Sequence, residues 1–181
     1  MIIRLLALDD LPRLTPILSD PEVMRYSVKG VCNELATRKF IEWCLGCYAS
    51  HGVGPWALVD KASGKLMGFS GVSPEVVADV EEINLGYRLA RDYWDQGFAT
   101  ESAAAVLHHT FSRTDIESVV VIIDPAHVAS LRVAQKVGFK QYRSAEFHGR
   151  PVRLYRLSRE QWHALPTQTK HPARYPSQPI E

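Results

Sequence analysis

Residues 87–111, "YRLARDYWDQGFATESAAAVLHHTF", change character in the middle. They open as a strand, pass through "WDQGFA" and continue as alanine-rich helix. A strand that feeds directly into a helix aims the helix's free N–H groups at whatever lies beyond the strand end. Gly97 lets a ligand approach the backbone closely, and Ala99 keeps that approach unobstructed. Thr100 adds a hydroxyl in the first turn. Successive N–H groups and the positive end of the helix dipole make an anion site suited to phosphate. The turn contains neither G-x-x-x-x-G-K-[ST] nor G-x-G-x-x-G, which argues against an NTPase and a dinucleotide dehydrogenase. By itself, a small-residue turn is equally explained by close packing of helix on strand.

Outward from this turn the chain alternates strands and helices. Residues 2–6 read as a first strand, and Asp9 or Asp10 can cap a short helix through "LPRLTPIL". A helical turn in "SDPEVMRYS" precedes a helix from Asn33 to about Tyr48. "PWALVD" and "KLMGFSGVS" flank "KASG", a hairpin signature, and "VEEINLGYRLA" extends that meander. In the helix after Gly97, Ala99, Ala103, Val106 or Leu107, and Thr110 form a stripe facing a sheet. "SVVVIID" reads as a buried strand. "SLRVAQKVGFK" reads as a helix closed by Gly138, with Phe139 folding back. Two late strands, "KQYRSAEFH" and "VRLYRLS", are joined at "GRP", and Ser158 caps a last helix. The expected fold is α/β (α+β): residues 1–165 form one domain with a mostly antiparallel sheet and helices against it. Residues 166–181 carry four prolines and read as a flexible tail.

Composition limits the function classes. With 181 residues, 46% hydrophobic and 23% charged, the chain suits one globular domain. A formal net charge of +1 offers no broad field for nucleic acid or an anionic membrane. No apolar run approaches the roughly 20 residues of a membrane span, and "MIIRLLALDD" lacks signal-peptide features; a cytosolic protein is expected. Cys44 and Cys47 form "CLGC". They lie on a helical stripe with Leu35 or Ala36, Phe40, and Trp43 or Cys44, so they read as core residues, with no second pair to complete a metal site. His108 and His109 are adjacent and point in different directions, and no H-E-x-x-H exists; no metal is expected.

The segments "LSDPEVMRY", "WALVDKASGKLMGFSGV", "LGYRLARDYWDQGFATESAAAVL" and "DPAHVASLRVAQKVGFK" occur in an order and spacing that resemble the GNAT superfamily of N-acetyltransferases. The likeness spans residues 2–162 and is strongest to the branch that includes ribosomal-protein N-terminal acetyltransferases. It implies acetyl-CoA as donor, an amine as acceptor, a central sheet splayed at its fourth strand with helices on both faces, and a homodimer. "WDQGFA" matches the family's pyrophosphate loop, Q/R-x-x-G-x-G/A. Trp94 stands at the Q/R position, and the N–H groups of Asp95, Gln96, Gly97, Phe98, Ala99 and Thr100 are implied to hold the phosphates. Tyr87 to Leu89 match the strand edge that pairs with the pantetheine arm. "DPAHVAS" matches P-x-N-x-x-S, with His127 in place of the asparagine and Ser130 retained. Arg132 and Lys136, one helical turn apart, either meet phosphates or are exposed helix charges.

Acetyl transfer to an amine requires loss of the amine's proton, a held thioester carbonyl and a stabilised thiolate. The glutamate usual before "LGY" is Asn84 here, which takes no proton but can orient an amine or a water. Glu82 lies about 7 Å earlier on the same strand face and is the candidate base through a water; alternatively it belongs to a solvated strand end. The tyrosine that many members use to protonate the thiolate is Ala134 here. Ser130 is then the remaining hydroxyl, with helix N-cap as its other role. Tyr26 and Trp43 are candidates to line the acceptor pocket, and His148 in the late hairpin to contact the acceptor. A protein N-terminus and a small amine remain alternative acceptors. The departures at Asn84, His127 and Ala134 keep a non-catalytic acyl-CoA sensor as the rival reading.

Overall fold

A single seven-stranded sheet organises the computed structural model, which describes residues 1–166. The expectation of a flexible tail falls, beyond Pro166, outside the described residues. The strands are β1 (Ile2–Leu5), β2 (Pro55–Val59), β3 (Leu66–Val77), β4 (Val80–Leu89), β5 (Ser118–Ile123), β6 (Tyr142–Phe147) and β7 (Arg150–Ser158). They lie in the order β1-β2-β3-β4-β5-β7-β6, and every neighbouring pair is antiparallel except β4 with β5. The "KASG" hairpin and the β3–β4 meander form as the turn residues and alternation predict.

Helices cover both faces. α1 (Leu11–Leu18), α2 (Pro21–Met24) and α3 (Glu34–His51) lie on one, where Leu14, Ile41 and Cys44 pack with Ala57 and Leu66. α4 (Phe98–Arg113) lies on the other, packing Ala103 to Leu107 and Phe111 against Leu58, Met67, Val72 and Leu85. α5 (Val128–Lys136) joins it on that face, and α6 (Arg159–His163) closes the chain. Two of the expected caps form: the Asn33 carboxamide accepts from the Ala36 N–H at 2.9 Å, and Ser158 forms a capping box with Gln161; at α1 the Asp10 carboxylate instead accepts from Arg4 and the Ala7 N–H. Gly138 adopts φ +108° just after α5, the Phe139 N–H donates to the Ala134 carbonyl at 3.0 Å, and the Phe139 ring is fully buried. No described helix is long and apolar enough to cross a membrane.

Two expectations are corrected. The buried stripe of α3 is Thr37, Ile41, Cys44 and Cys47, whereas Leu35 and Trp43 face outward; the helix turns its most polar face-neighbour, Thr37, inward because its hydroxyl bonds the Asn33 carbonyl. Both cysteines are free thiols, and burial pushes each thiol's pKa up. The late hairpin turns at His148-Gly149 and not at "GRP". Both residues take positive φ, +49° and +73°, and Arg150 pairs with Phe147. A two-residue turn of that hand matches the twist of its strands.

The splay is the feature that positions a site. β4 and β5 meet at one register point, Asn84 opposite Val120, and then diverge. Beyond Asn84 the β4 segment Leu85–Leu89 has β3 on one edge and an open wedge on the other. β5 is paired along its whole length with β7 instead.

Candidate active site

The turn before α4 is built from backbone. Asp95 and Gly97 both take left-handed conformations, φ +56° and +85°. Nothing lies within 4 Å of a Cβ placed on Gly97, so its backbone angle and not its space calls for glycine. The first helical bond of α4 runs from the Glu101 N–H to the Gly97 carbonyl, and the helix has no side-chain N-cap. Among the described residues the N–H groups from Asp95 to Thr100 therefore have no partner. Left-handed residues alternating with others turn such N–H groups toward one concavity, an anion nest. Trp94 takes no part in it through its ring; the indole N–H caps the Leu89 carbonyl at 2.8 Å.

Two cavities flank the wedge. One, of about 510 Å³, is lined by Asp95, Gly97 to Thr100, His127 to Ser130, Arg132 and Lys136. The other, of about 600 Å³, opens toward α3 and the late hairpin, and includes Trp43, Ser73, Glu75, Asn84, Gly86 and Arg150. Four residues line both: Tyr26, Tyr87, Arg88 and Ser130. A group passing between the cavities passes these side chains.

At this junction the Tyr87 hydroxyl and the Ser130 Oγ are 2.7 Å apart. Burial pushes the Tyr87 phenol's pKa up to about 12, so it stays protonated. The His127 ring stacks on Tyr26 at 4.2 Å between centroids, and the Tyr26 hydroxyl donates to the Ala126 carbonyl at 3.2 Å. Burial first, then the Arg88 charge, brings His127 down to about 4, leaving a neutral imidazole. Arg88 donates to the Tyr87 carbonyl at 2.8 Å, and among the described residues no carboxylate lies within ion-pair distance.

Asn84 sits at the apex of the wedge with a buried Oδ1 that has no hydrogen-bond partner. Glu82 is buried and forms an ion pair with Arg156, whose guanidinium also donates to Ser118 Oγ at 2.8 Å. It is thus no solvated strand end, and it lies outside the lining of both cavities. His148 also lies outside them, with its ring edge-on to Phe147 at 4.4 Å. Tyr26 and Trp43 do line the larger cavity.

One functional candidate, Glu75, escapes the sequence reading, and Tyr87 and Arg88, expected there as strand edge for the pantetheine arm, bring side chains to which it gives no role. Glu75 is the register partner of Glu82, lines the larger cavity, and has no partner among the described residues. The signal for it is the alternation Phe69, Gly71, Ser73, Glu75, one face of β3 that lines that cavity throughout. The Tyr87 phenol and the Arg88 guanidinium, on opposite faces of β4, give no signal before the wedge is known.

Comparison with known proteins agrees with this geometry. The model of the acetyltransferase (GNAT) domain matches residues 1–140. The chain belongs to the GNAT family of acetyltransferases. An uncharacterized Bacillus subtilis protein, YkkB, is 30% identical over 156 residues, 84% of this chain and 90% of YkkB. Among solved structures, the ribosomal L7/L12 α-N-protein acetyltransferase RimL in complex with coenzyme A aligns with a TM-score of 0.73 at 19% identity, covering 86% of this chain and 92% of RimL. The aminoglycoside acetyltransferase AAC(6')-Ib, also in complex with coenzyme A, aligns with a TM-score of 0.70 at 14% identity, covering 90% and 96%. At these identities the two structures share the fold.

Proposed function

We propose that this chain is an acetyl-CoA-dependent N-acetyltransferase that moves the acetyl group directly to a primary amine while both are bound. One observation carries the reading. The unpartnered N–H groups of Asp95 to Thr100 open onto a cavity that joins a second one at Tyr26, Tyr87, Arg88 and Ser130. The first suits a diphosphate, with Arg132 and Lys136 beside it for further phosphate charge. The wedge admits a narrow amide-bearing arm whose thioester end reaches the junction.

Each chemical task then falls to a residue of this chain. The orphaned Asn84 Oδ1 accepts an N–H of the acceptor amine, which orients its lone pair and removes the cost of an unsatisfied buried oxygen. Glu75 takes the amine's proton, directly or through one water, because its carboxylate faces the acceptor cavity while Glu82 is committed to Arg156. The amine nitrogen forms its bond to the acetyl carbon, and the carbon–sulfur bond breaks. The Tyr87–Ser130 hydroxyl pair returns a proton to the departing thiolate, the task for which Ala134 offers no group. Holding both reactants at one junction supplies much of the remaining acceleration.

A free-thiol release assay over a panel of amines tests this. Turnover that falls steeply in Ser130→Ala and Tyr87→Phe supports the transferase. Tight acetyl-CoA binding without turnover on any amine contradicts it and favours a sensor.

A further inference from the structure

We infer that the acceptor is a small amine carrying an acid group of its own, a carboxylate or a phosphate, and that Arg88 binds that group. This rests on the transferase reading and extends it to the substrate class. A guanidinium carries five N–H donors and a permanent charge, and burying it without an anion is costly. Arg88 is half-buried in the wedge, where burial opposes its charge; its hydrogen-bond partner is one backbone carbonyl, and among the described residues no carboxylate pairs with it. Arg88 lines both cavities and so stands at their junction. Such a charge is stable there when a ligand brings the counter-ion.

Arg88 also lines the cavity assigned to the diphosphate, but its face of β4 favours a counter-ion from the acceptor side. Side chains alternate along β4, so Arg88 points to the face opposite Tyr87 and Leu89, which pack on the α4 side. Asn84, Gly86 and Arg88 share the acceptor face. The amine end then meets Asn84 and the acid end Arg88, residues about 13 Å apart along the strand before their side chains close the gap. The rest of the lining agrees. Lys29, Lys39, Arg88 and Arg150 face the larger cavity against two carboxylates, Glu75 and Asp124. One oxygen of Asp124 is already taken by the Ala126 N–H at 2.8 Å. A polyamine or an aminoglycoside would meet this excess of positive charge with more of the same sign.

The test uses matched pairs on the full chain. Amino acids are compared with their carboxamides, and phosphoethanolamine with ethanolamine; spermidine and kanamycin serve as cationic controls. Thiol release gives kcat/KM, and calorimetry on the coenzyme A-loaded protein gives binding independently of turnover. The acid member of at least one pair is expected to be favoured by about tenfold or more, as for a hydrogen-bonded charge pair. Arg88→Gln should erase that preference and leave acetyl-CoA affinity unchanged, while Arg88→Lys, which keeps the charge, should restore part of it. The carboxylate and phosphate series separate the two acid groups. Equal or better use of carboxamides or cationic amines overturns the inference while leaving the transferase standing. Preference for the acid in binding with no turnover of any amine does the reverse. An Arg88→Gln variant that loses acetyl-CoA and keeps the acid preference assigns Arg88 to the coenzyme and overturns the inference.

Discussion

The two cavities that meet at Tyr87 and Ser130 are built from different material. The turn from Asp95 to Thr100 is a backbone site: two left-handed residues and a helix start leave N–H groups bare, and no side chain is needed to make it. The acceptor cavity is a side-chain site assembled from α3, β3, β4, β5 and the β6–β7 hairpin. A backbone site tolerates substitution as long as the chain keeps its conformation, so Trp94 costs little. A side-chain site changes with every substitution, and there this chain has Asn84, Glu75 and Arg88.

Substitutions on the two sides should therefore fail in different ways. The largest effect is expected for Glu75→Gln, with kcat reduced by about 10²–10⁴ and acetyl-CoA affinity kept, as befits removal of a general base. Equal loss in Glu82→Gln and none in Glu75→Gln would move the base back to β4. Tyr87→Phe comes next, with kcat lowered by about 10–10² through loss of a proton donor. Because the phenol's pKa is raised to about 12, it is a usable acid at every pH below that value. The wild-type rate should accordingly show no alkaline fall from this group between about pH 7 and 10; a fall there that vanishes in Tyr87→Phe would refute the role.

On the backbone side, Gly97→Ala forces a Cβ into a left-handed conformation at about 1–2 kcal/mol, so acetyl-CoA binding should weaken about 5–30-fold, read by calorimetry. The acid preference of the acceptor site should survive it. Arg156→Ala leaves the buried Glu82 without its counter-ion and should destabilise the fold by about 1–3 kcal/mol, discounted for the half-exposed arginine, with little change in kcat. The smallest effect concerns His127. Its folded pKa of about 4 lies below the unfolded value of about 6.5, so the unfolded chain binds more protons between them. Stability should thus be complete above about pH 6.5 and fall as the pH drops toward 4, and His127→Gln should flatten that part of the melting curve.

The same contrast explains what the amino-acid sequence made legible. The β2–β3 hairpin, the helix ends and the turn before α4 rest on local signals: Gly97 after a strand, Asn33 and Ser158 as caps, Gly138 with Phe139. Their chemistry acts over a few residues, so order and spacing reveal them. The splay of the sheet is expected only from the family likeness. The acceptor side depends on which strand face meets which cavity. Glu82 and Glu75 look alike in the sequence, and only the register that sets Arg156 beside one of them tells them apart. For His148 the likeness of its hairpin implies contact with the acceptor; the two-residue turn sets it at the hairpin tip, while Phe147 and Arg150 beside it line the larger cavity. On α3 the expected Cys44 and Cys47 are buried, while Thr37 and Ile41 take the places expected for Leu35 or Ala36 and Phe40, since a threonine can enter the core once its hydroxyl is bonded.

The most direct test is a crystal structure of the chain soaked with acetyl-CoA. The diphosphate should lie against the N–H groups of Asp95 to Thr100, with the thioester ending beside Tyr87 and Ser130. Coenzyme bound away from that bend, or an acetyl end that stops short of the junction of the two cavities, would contradict the account.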